Sequence, residues 1–136
     1  MQIRTYEPRD EQGVIRLWRS VFAYDTPHND PATVIEKKLA YNRELFFVGI
    51  EGDAIVGTVM GGYDGHRGWI YLLAVDPMNQ RKGFGATLMR HLEVALEALG
   101  CPKINLQIHG HNEAVVAFYE KLGYQVEDRV NMGRIL

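Results

Sequence analysis

From Val75 to Ala86 the chain reads Val-Asp-Pro-Met-Asn-Gln-Arg-Lys-Gly-Phe-Gly-Ala, an order of residue types suited to holding a phosphate. Glycines at 83 and 85 remove the Cβ atoms that would keep backbone amides away from an anion. An amphipathic pattern begins directly behind them, and the N-terminus of such a helix carries roughly +0.5 of an elementary charge. Arg81 and Lys82 add two cations at the mouth. Two familiar phosphate loops do not fit. A P-loop needs Gly-Lys-Ser/Thr, and no such triplet follows. A dinucleotide-binding turn needs a third small residue where Leu88 stands, with an acidic ribose partner roughly 20 residues on. A plainer role for Gly83 and Gly85, close packing of helix on strand, stays open at this point.

The elements that must carry this loop are legible as periodicities. Residues 2–7 alternate as an opening strand. Val14, Leu17, Trp18, Val21 and Phe22 form one apolar stripe of a helix over 10–22. Tyr24–Asp30 is a turn-rich connector, and Asp30-Pro31 supplies an N-cap and a first-turn proline for a helix reaching about Asn42. Leu45–Ile50 and Ala54–Tyr63 read as strands joined at Glu51-Gly52-Asp53. Gly57, Gly61 and Gly62 mark a bulge or a close backbone approach there. Trp69–Val75 is an apolar run predicted to be a strand buried on both faces. A helix over 84–99 stops at Gly100 and Pro102, and a strand follows over Lys103–His109. Asn112 can cap a helix with Val115, Phe118, Tyr119 and Leu122 on one face, ending at Gly123. A last pair of strands is expected at 124–128 and 130–135. The order is an α/β layering of helices on a sheet.

Composition narrows the function. At 136 residues the chain suits one domain, spanning 1–136. Charged residues at 24% and a net charge of −2 lack the basic excess of a nucleic-acid binder. No apolar run approaches the roughly 20 residues of a membrane span, and the N-terminus lacks a signal peptide's apolar region; the expectation is a cytoplasmic protein without a membrane partner. Cys101 is the sole cysteine, which excludes an intrachain disulfide and a cysteine metal cluster. Its place after Gly100, at the negative end of a helix, disfavours a nucleophilic thiolate.

With those elements in order, the run hydrophobic-x-Pro-x-x-Gln-Arg-Lys-Gly-Phe-Gly resembles the pyrophosphate-binding segment of the GNAT family of N-acetyltransferases, which use acetyl-coenzyme A. Asn112 to Tyr124, with its capping asparagine, its tyrosine and a Leu-Gly-aromatic ending, resembles the family's second signature. Met60 to Gly68 looks like a small group of bacterial members. The resemblance implies an α/β fold with a mixed, mostly antiparallel central sheet covered by helices on both faces. It also implies direct transfer of acetyl from acetyl-coenzyme A to a primary amine in a ternary complex, with no covalent nucleophile; no metal is expected, because His109 and His111 would share a strand face with no third and fourth ligand close in sequence. By the same resemblance the backbone of Gln80, Arg81, Lys82, Gly83, Phe84, Gly85 and Ala86 holds the pyrophosphate. The amides near Leu73, Ala74 and Val75, where the family's sheet splays at a bulge, face the acyl oxygen and pantetheine. Asn112 caps its helix and meets the pantetheine arm or diphosphate. Tyr119 is the candidate general acid for the departing thiolate, since a phenol with a pKa of about 10 stays protonated at neutral pH; packing on the apolar stripe is its alternative role.

The base that takes the amine's proton is the weak point. Gln107 stands where several family members carry a glutamate, and an amide takes no proton. His109, His111, His66 and Asp64 are nearby candidates, reached directly or through water. Acceptor choice is expected in Tyr24–Asp30, helix 31–42 and the loop Tyr63–Gly68, with Asp25, Asp30 and Asp64 able to draw a cationic amine or to serve as turn and cap residues. The acceptor is a small molecule or a peptide, and exposed strands or aromatics such as Trp69 allow a homodimer. A different class of function, a cofactor-binding sensor or partner-binding domain with little catalysis, gains support from Gln107 alone.

Overall fold

A computed structural model describes residues 1–22, 27–110 and 112–136. Five strands form one sheet in sequence order: β1 (Gln2–Thr5), β2 (Phe46–Glu51), β3 (Ala54–Tyr63), β4 (Gly68–Val75) and β5 (Ile104–Leu106). The first three pairings are antiparallel and the β4–β5 pairing is parallel. Helices α1 (Glu11–Val21) and α2 (Pro31–Lys38) cover one face, while α3 (Phe84–Ala98) and α4 (Glu113–Lys121) cover the other. The expected mixed, mostly antiparallel sheet with helices on both faces is therefore the observed one.

Each face has its own core. Trp18, Val14 and Leu17 of α1 meet Phe46, Val48 and Met60, and the Tyr6 ring stacks on Phe46 at 4.5 Å. On the other side Leu88, Met89, Leu92 and Leu96 of α3 press on Phe47, Val59 and Ile70. Close approach explains two strand glycines. A Cβ on Gly57 would stand 2.6 Å from Leu88 Cδ1, and one on Gly61 would stand 2.6 Å from Leu92 Cδ1, so α3 rides on β3 closer than any side chain allows.

Element ends follow local chemistry. Asp30 caps α2 by accepting the Thr33 amide at 3.2 Å, and Asn112 caps α4 by accepting the Val115 amide at 3.2 Å. Gly100 and Gly123, with φ of 84° and 97°, close α3 and α4 in the left-handed region.

Three expectations change. The strand expected over Lys103–His109 shortens to Ile104–Leu106. The strands expected at 124–128 and 130–135 are not formed. Their alternation is real, but a strand needs a backbone partner about 4.8 Å away, and this segment meets β5 only through side chains: Lys103 to Glu127, Asn105 to Glu127 at 2.7 Å, and Gln107 to Asn131. No ladder joins this segment to the sheet among the described residues, and Val126, Val130, Met132 and Ile135 are left exposed. Finally, β4 is not buried on both faces throughout, since half of Tyr71 is exposed.

Candidate active site

The opening in the sheet comes from unequal strand lengths. β5 pairs with β4 only from Gly68↔Ile104 to Ile70↔Leu106, whereas β4 continues to Val75. Beyond Ile70 the β5 side of β4 has no ladder partner among the described residues, which leaves a slot beside its backbone. On its other edge β4 carries a bulge: β3 pairs Met60 with Tyr71 and Thr58 with Ala74, leaving Leu72 and Leu73 opposite Val59. Leu72 accordingly takes φ of 51°, a strained value for a residue with a branched side chain. Leu72 and Ala74 pack toward α1, while Leu73 and Val75 pack toward α3.

β4 runs straight from this bulge into the glycine loop. Asp76 accepts the Met78 amide at 2.9 Å and caps a single 3₁₀ turn over Pro77–Asn79. Arg81 and Gly83 then both adopt left-handed φ, 67° and 78°. Left-handed residues in such a turn fold successive amides to one side, the geometry of an anion nest. Behind them, the amides of Phe84, Gly85 and Ala86 form the first turn of α3 and have no carbonyl four residues back to bond. The first helical bond is Thr87 to the Gly83 carbonyl at 3.1 Å.

Side chains keep the loop open. Gln80 Nε2 donates to the Val75 carbonyl at 3.4 Å, and Lys82 Nζ donates to Asn79 Oδ1 at 3.1 Å while standing 5.9 Å from the Phe84 ring centroid. The Arg81 side chain is exposed and without a partner among the described residues. The loop thus presents the unbonded amides of the first turn of α3 beside the two cations Arg81 and Lys82.

Gly85 joins the two sequence motifs. A Cβ there would lie 3.2 Å from Phe118 Cζ and 3.8 Å from Val75 Cγ2, so α4 packs directly on the start of α3 and the end of β4. The plainer role, close packing of helix on strand, is not what Gly85 serves: its tight contact is with Phe118 of α4, while Gly83 faces open space and owes its identity to φ. Tyr119 follows Phe118, with ring centroids 5.0 Å apart, and meets Tyr124 at 5.8 Å. Burial pushes the Tyr119 phenol up to about 12. Tyr124 instead donates to Glu93 Oε2 at 2.7 Å, and burial followed by that carboxylate raises it further.

The other candidates are placed less tellingly. Gln107 is exposed and donates to Asn131. Asp64 Oδ1 accepts the amides of His66 and Arg67, each at 2.8 Å, and those two bonds, Arg67's first, hold its carboxyl below the ordinary range. That is the chemistry of a turn residue. His66 and His109 are exposed. Tyr24, Asp25 and His111 lie outside the described residues. A concavity of about 1230 Å³ lies between β5, α4 and residues 125–131; Tyr119 and Gln107 line it, but the glycine loop and Leu73–Val75 do not. Cys101 is half-buried, its Sγ 3.3 Å from the Lys103 carbonyl.

Sequence reasoning missed what holds the bulge. Thr58 and Trp18 are fully buried; Trp18 Nε1 donates to Thr58 Oγ1 at 2.8 Å, and Thr58 Oγ1 donates to the Leu72 carbonyl at 3.0 Å. The available signal was a lone hydroxyl in the apolar run Val56 to Met60.

The comparisons agree with this architecture. The model of the Acetyltransferase (GNAT) family matches residues 12–124. An acetyltransferase of Yersinia enterocolitica is 45% identical over 136 residues, covering 100% of this chain and 96% of its own. Among solved structures, Ard1 from Thermoplasma volcanium is similar at a TM-score of 0.81 with 26% identity, over 93% of this chain and 83% of that one. PaiA N-acetyltransferase from Thermoplasma acidophilum, in complex with coenzyme A, has the same fold at a TM-score of 0.81 with 17% identity, over 95% of this chain and 92% of that one. With two motifs folded against one splayed sheet and a family match over most of its length, this chain is an acetyl-coenzyme A-dependent acetyltransferase of the GNAT family.

Proposed function

We propose that the β4 slot is where acetyl is passed to a primary amine directly, in a ternary complex, with the glycine loop at one end and Tyr119 on the neighbouring helix. The observation that carries this is the departure of β4 from β5 after Ile70, which leaves strand backbone unpaired between the bulge at Leu72 and the nest at Arg81–Gly83. Acetyl-coenzyme A supplies an activated thioester. The amides of Gln80 to Ala86 hold its diphosphate, with Arg81 and Lys82 adding charge; backbone at Leu73, Ala74 and Val75 meets the pantetheine and the acyl oxygen; and Asn112, besides capping α4, stands at the same end as the loop. An amide aimed where negative charge develops lowers the barrier more than one that merely binds.

Tyr119 holds a proton for the departing sulfur. Its phenol, pushed to about 12, is protonated throughout the neutral range. The acceptor's proton leaves by water rather than to Gln107, an amide. The acceptor enters from the α1–α2 side of the sheet, with the half-exposed Tyr71 of β4 near its path. The lone thiol fits a reducing compartment, and we place the protein in the cytoplasm.

Release of free thiol from acetyl-coenzyme A, followed across a panel of small amines, amino acids and peptides, tests the reading. Amine-dependent release above buffer is expected for at least one class. Tight binding of acetyl-coenzyme A with no release for any amine would overturn it.

A further inference from the structure

We infer that Thr58, oriented by Trp18, is a positioning residue that aims the Leu73 amide into the slot by pinning the Leu72 carbonyl. The inference rests on the slot being the site of acetyl transfer.

The direction of each bond is forced. An indole N–H only donates, so at 2.8 Å Trp18 occupies a lone pair of the Thr58 oxygen. The hydroxyl has a single hydrogen, and the acceptor in reach is the Leu72 carbonyl at 3.0 Å. Thr58 and Trp18 are fully buried, so no water competes for the indole N–H or the hydroxyl. Trp18 is itself fixed: it lies on α1 within the core and stacks on Phe46 with centroids 5.9 Å apart.

The consequence passes through one peptide plane. In a trans peptide the carbonyl oxygen and the next amide hydrogen point in opposite directions. With Leu72 O drawn toward the Thr58 side chain on β3, the Leu73 N–H points away from β3, toward the edge where β4 has no partner. Leu72 at φ of 51° is strained, and a strained residue persists only where its surroundings over-determine it. Without the Thr58 hydroxyl, rotation of the Leu72–Leu73 peptide relieves that strain and takes the amide out of the slot. A threonine at 58 thus does what packing alone does not: valine fills the same space and holds nothing.

Thr58→Val and Thr58→Ser separate the two roles. In Thr58→Val, kcat is expected to fall about 100-fold, the order lost with one transition-state donor, while the Kd for coenzyme A without its acyl group stays within about threefold, since the diphosphate cradle is untouched. In the ligand-free protein the Leu73 amide and the Trp18 indole N–H should both shift in ¹H–¹⁵N spectra. Thr58→Ser keeps the hydroxyl and should restore kcat to within about threefold. Should valine prevent folding, Thr58→Ala against Thr58→Ser repeats the comparison, because both lose the methyl and only one loses the hydroxyl. Equal losses in the hydroxyl-bearing and hydroxyl-free variants, or an unmoved Leu73 amide in Thr58→Val, would overturn the inference. A wild-type protein that never releases thiol, together with a Leu73 amide that moves in Thr58→Val, would instead overturn the transfer site and leave the pin standing.

Discussion

Tyr119, which we propose as the acid for the departing thiolate, is also a packing residue. Its ring belongs to the core formed with Phe118, Tyr124 and α3, and that burial is what raises its pKa to about 12. Tyr119→Phe should therefore leave coenzyme A affinity unchanged and lower kcat by about 100-fold, the lower range for a lost general acid. The pH dependence has a definite sign. Below pH 10 the phenol is protonated in both folded and unfolded chains; between about 10 and about 12 the unfolded chain ionises first, so stability falls as pH rises through that window. Urea titrations should find that alkaline loss shallower in Tyr119→Phe. Asp10 behaves oppositely. Arg4 donates to both its oxygens at 2.7 and 2.8 Å, and the Glu7 amide donates at 2.8 Å; the Arg4 bonds hold its carboxyl below 3.8. The stability this supplies is present above pH 4 and fades as pH falls further. Asp10→Asn should cost about 2 kcal/mol at neutral pH, a difference that denaturant melts should find shrinking toward pH 2.

Among the elements, the loop from Asp76 to Gly83 accepts strain at one residue that another chemistry would avoid. Gly83 takes φ of 78° without cost, while Arg81 takes 67° against the preference of any residue with a Cβ. Placing a cation in that conformation trades stability for charge at the nest. Gly83→Ala should destabilise by about 1 kcal/mol and weaken acetyl-coenzyme A binding at every ionic strength. Arg81→Gly should leave the fold at least as stable and weaken binding in dilute buffer, a loss that narrows with added salt because only a screened charge is missing. Calorimetry at two salt concentrations separates these outcomes. If Arg81→Gly binds normally at low salt, the nest draws its affinity from backbone alone. Much of this loop was legible: glycine spacing, the proline and the cations all announce an anion cradle. Left-handed Arg81 was not, since nothing in an arginine's chemistry asks for that conformation.

Across the whole molecule, stability is spread unevenly. The middle strands β2 and β3 are backed on both faces by the two cores, whereas residues 125–136 are exposed throughout and tied to β5 through side chains. Hydrogen exchange should rank them accordingly, with Val48 and Val59 among the slowest amides and residues 126–136 exchanging within seconds. Protection of 126–136 comparable with β3 would mean that these residues form the ladder their alternation suggests. The bounds of α1, α3 and α4 and of Ala54–Tyr63 were readable because amphipathic period and capping residues are local properties, whereas α2 stops at Lys38 rather than near Asn42. The terminal pair was misjudged because a strand exists by virtue of its partner.

Sequence alone determined the family and the order of elements as far as α4, and it singled out the glycine loop and Tyr119 as candidates, because motif spacing and hydrophobic period are written in consecutive residues. Only tertiary structure decided that Gly85 lies against Phe118, that β4 outruns β5, and that a hydroxyl at 58 reaches both Trp18 and Leu72. Those facts join residues up to 40 positions apart, and distance along a chain says nothing of distance in space until the sheet has closed.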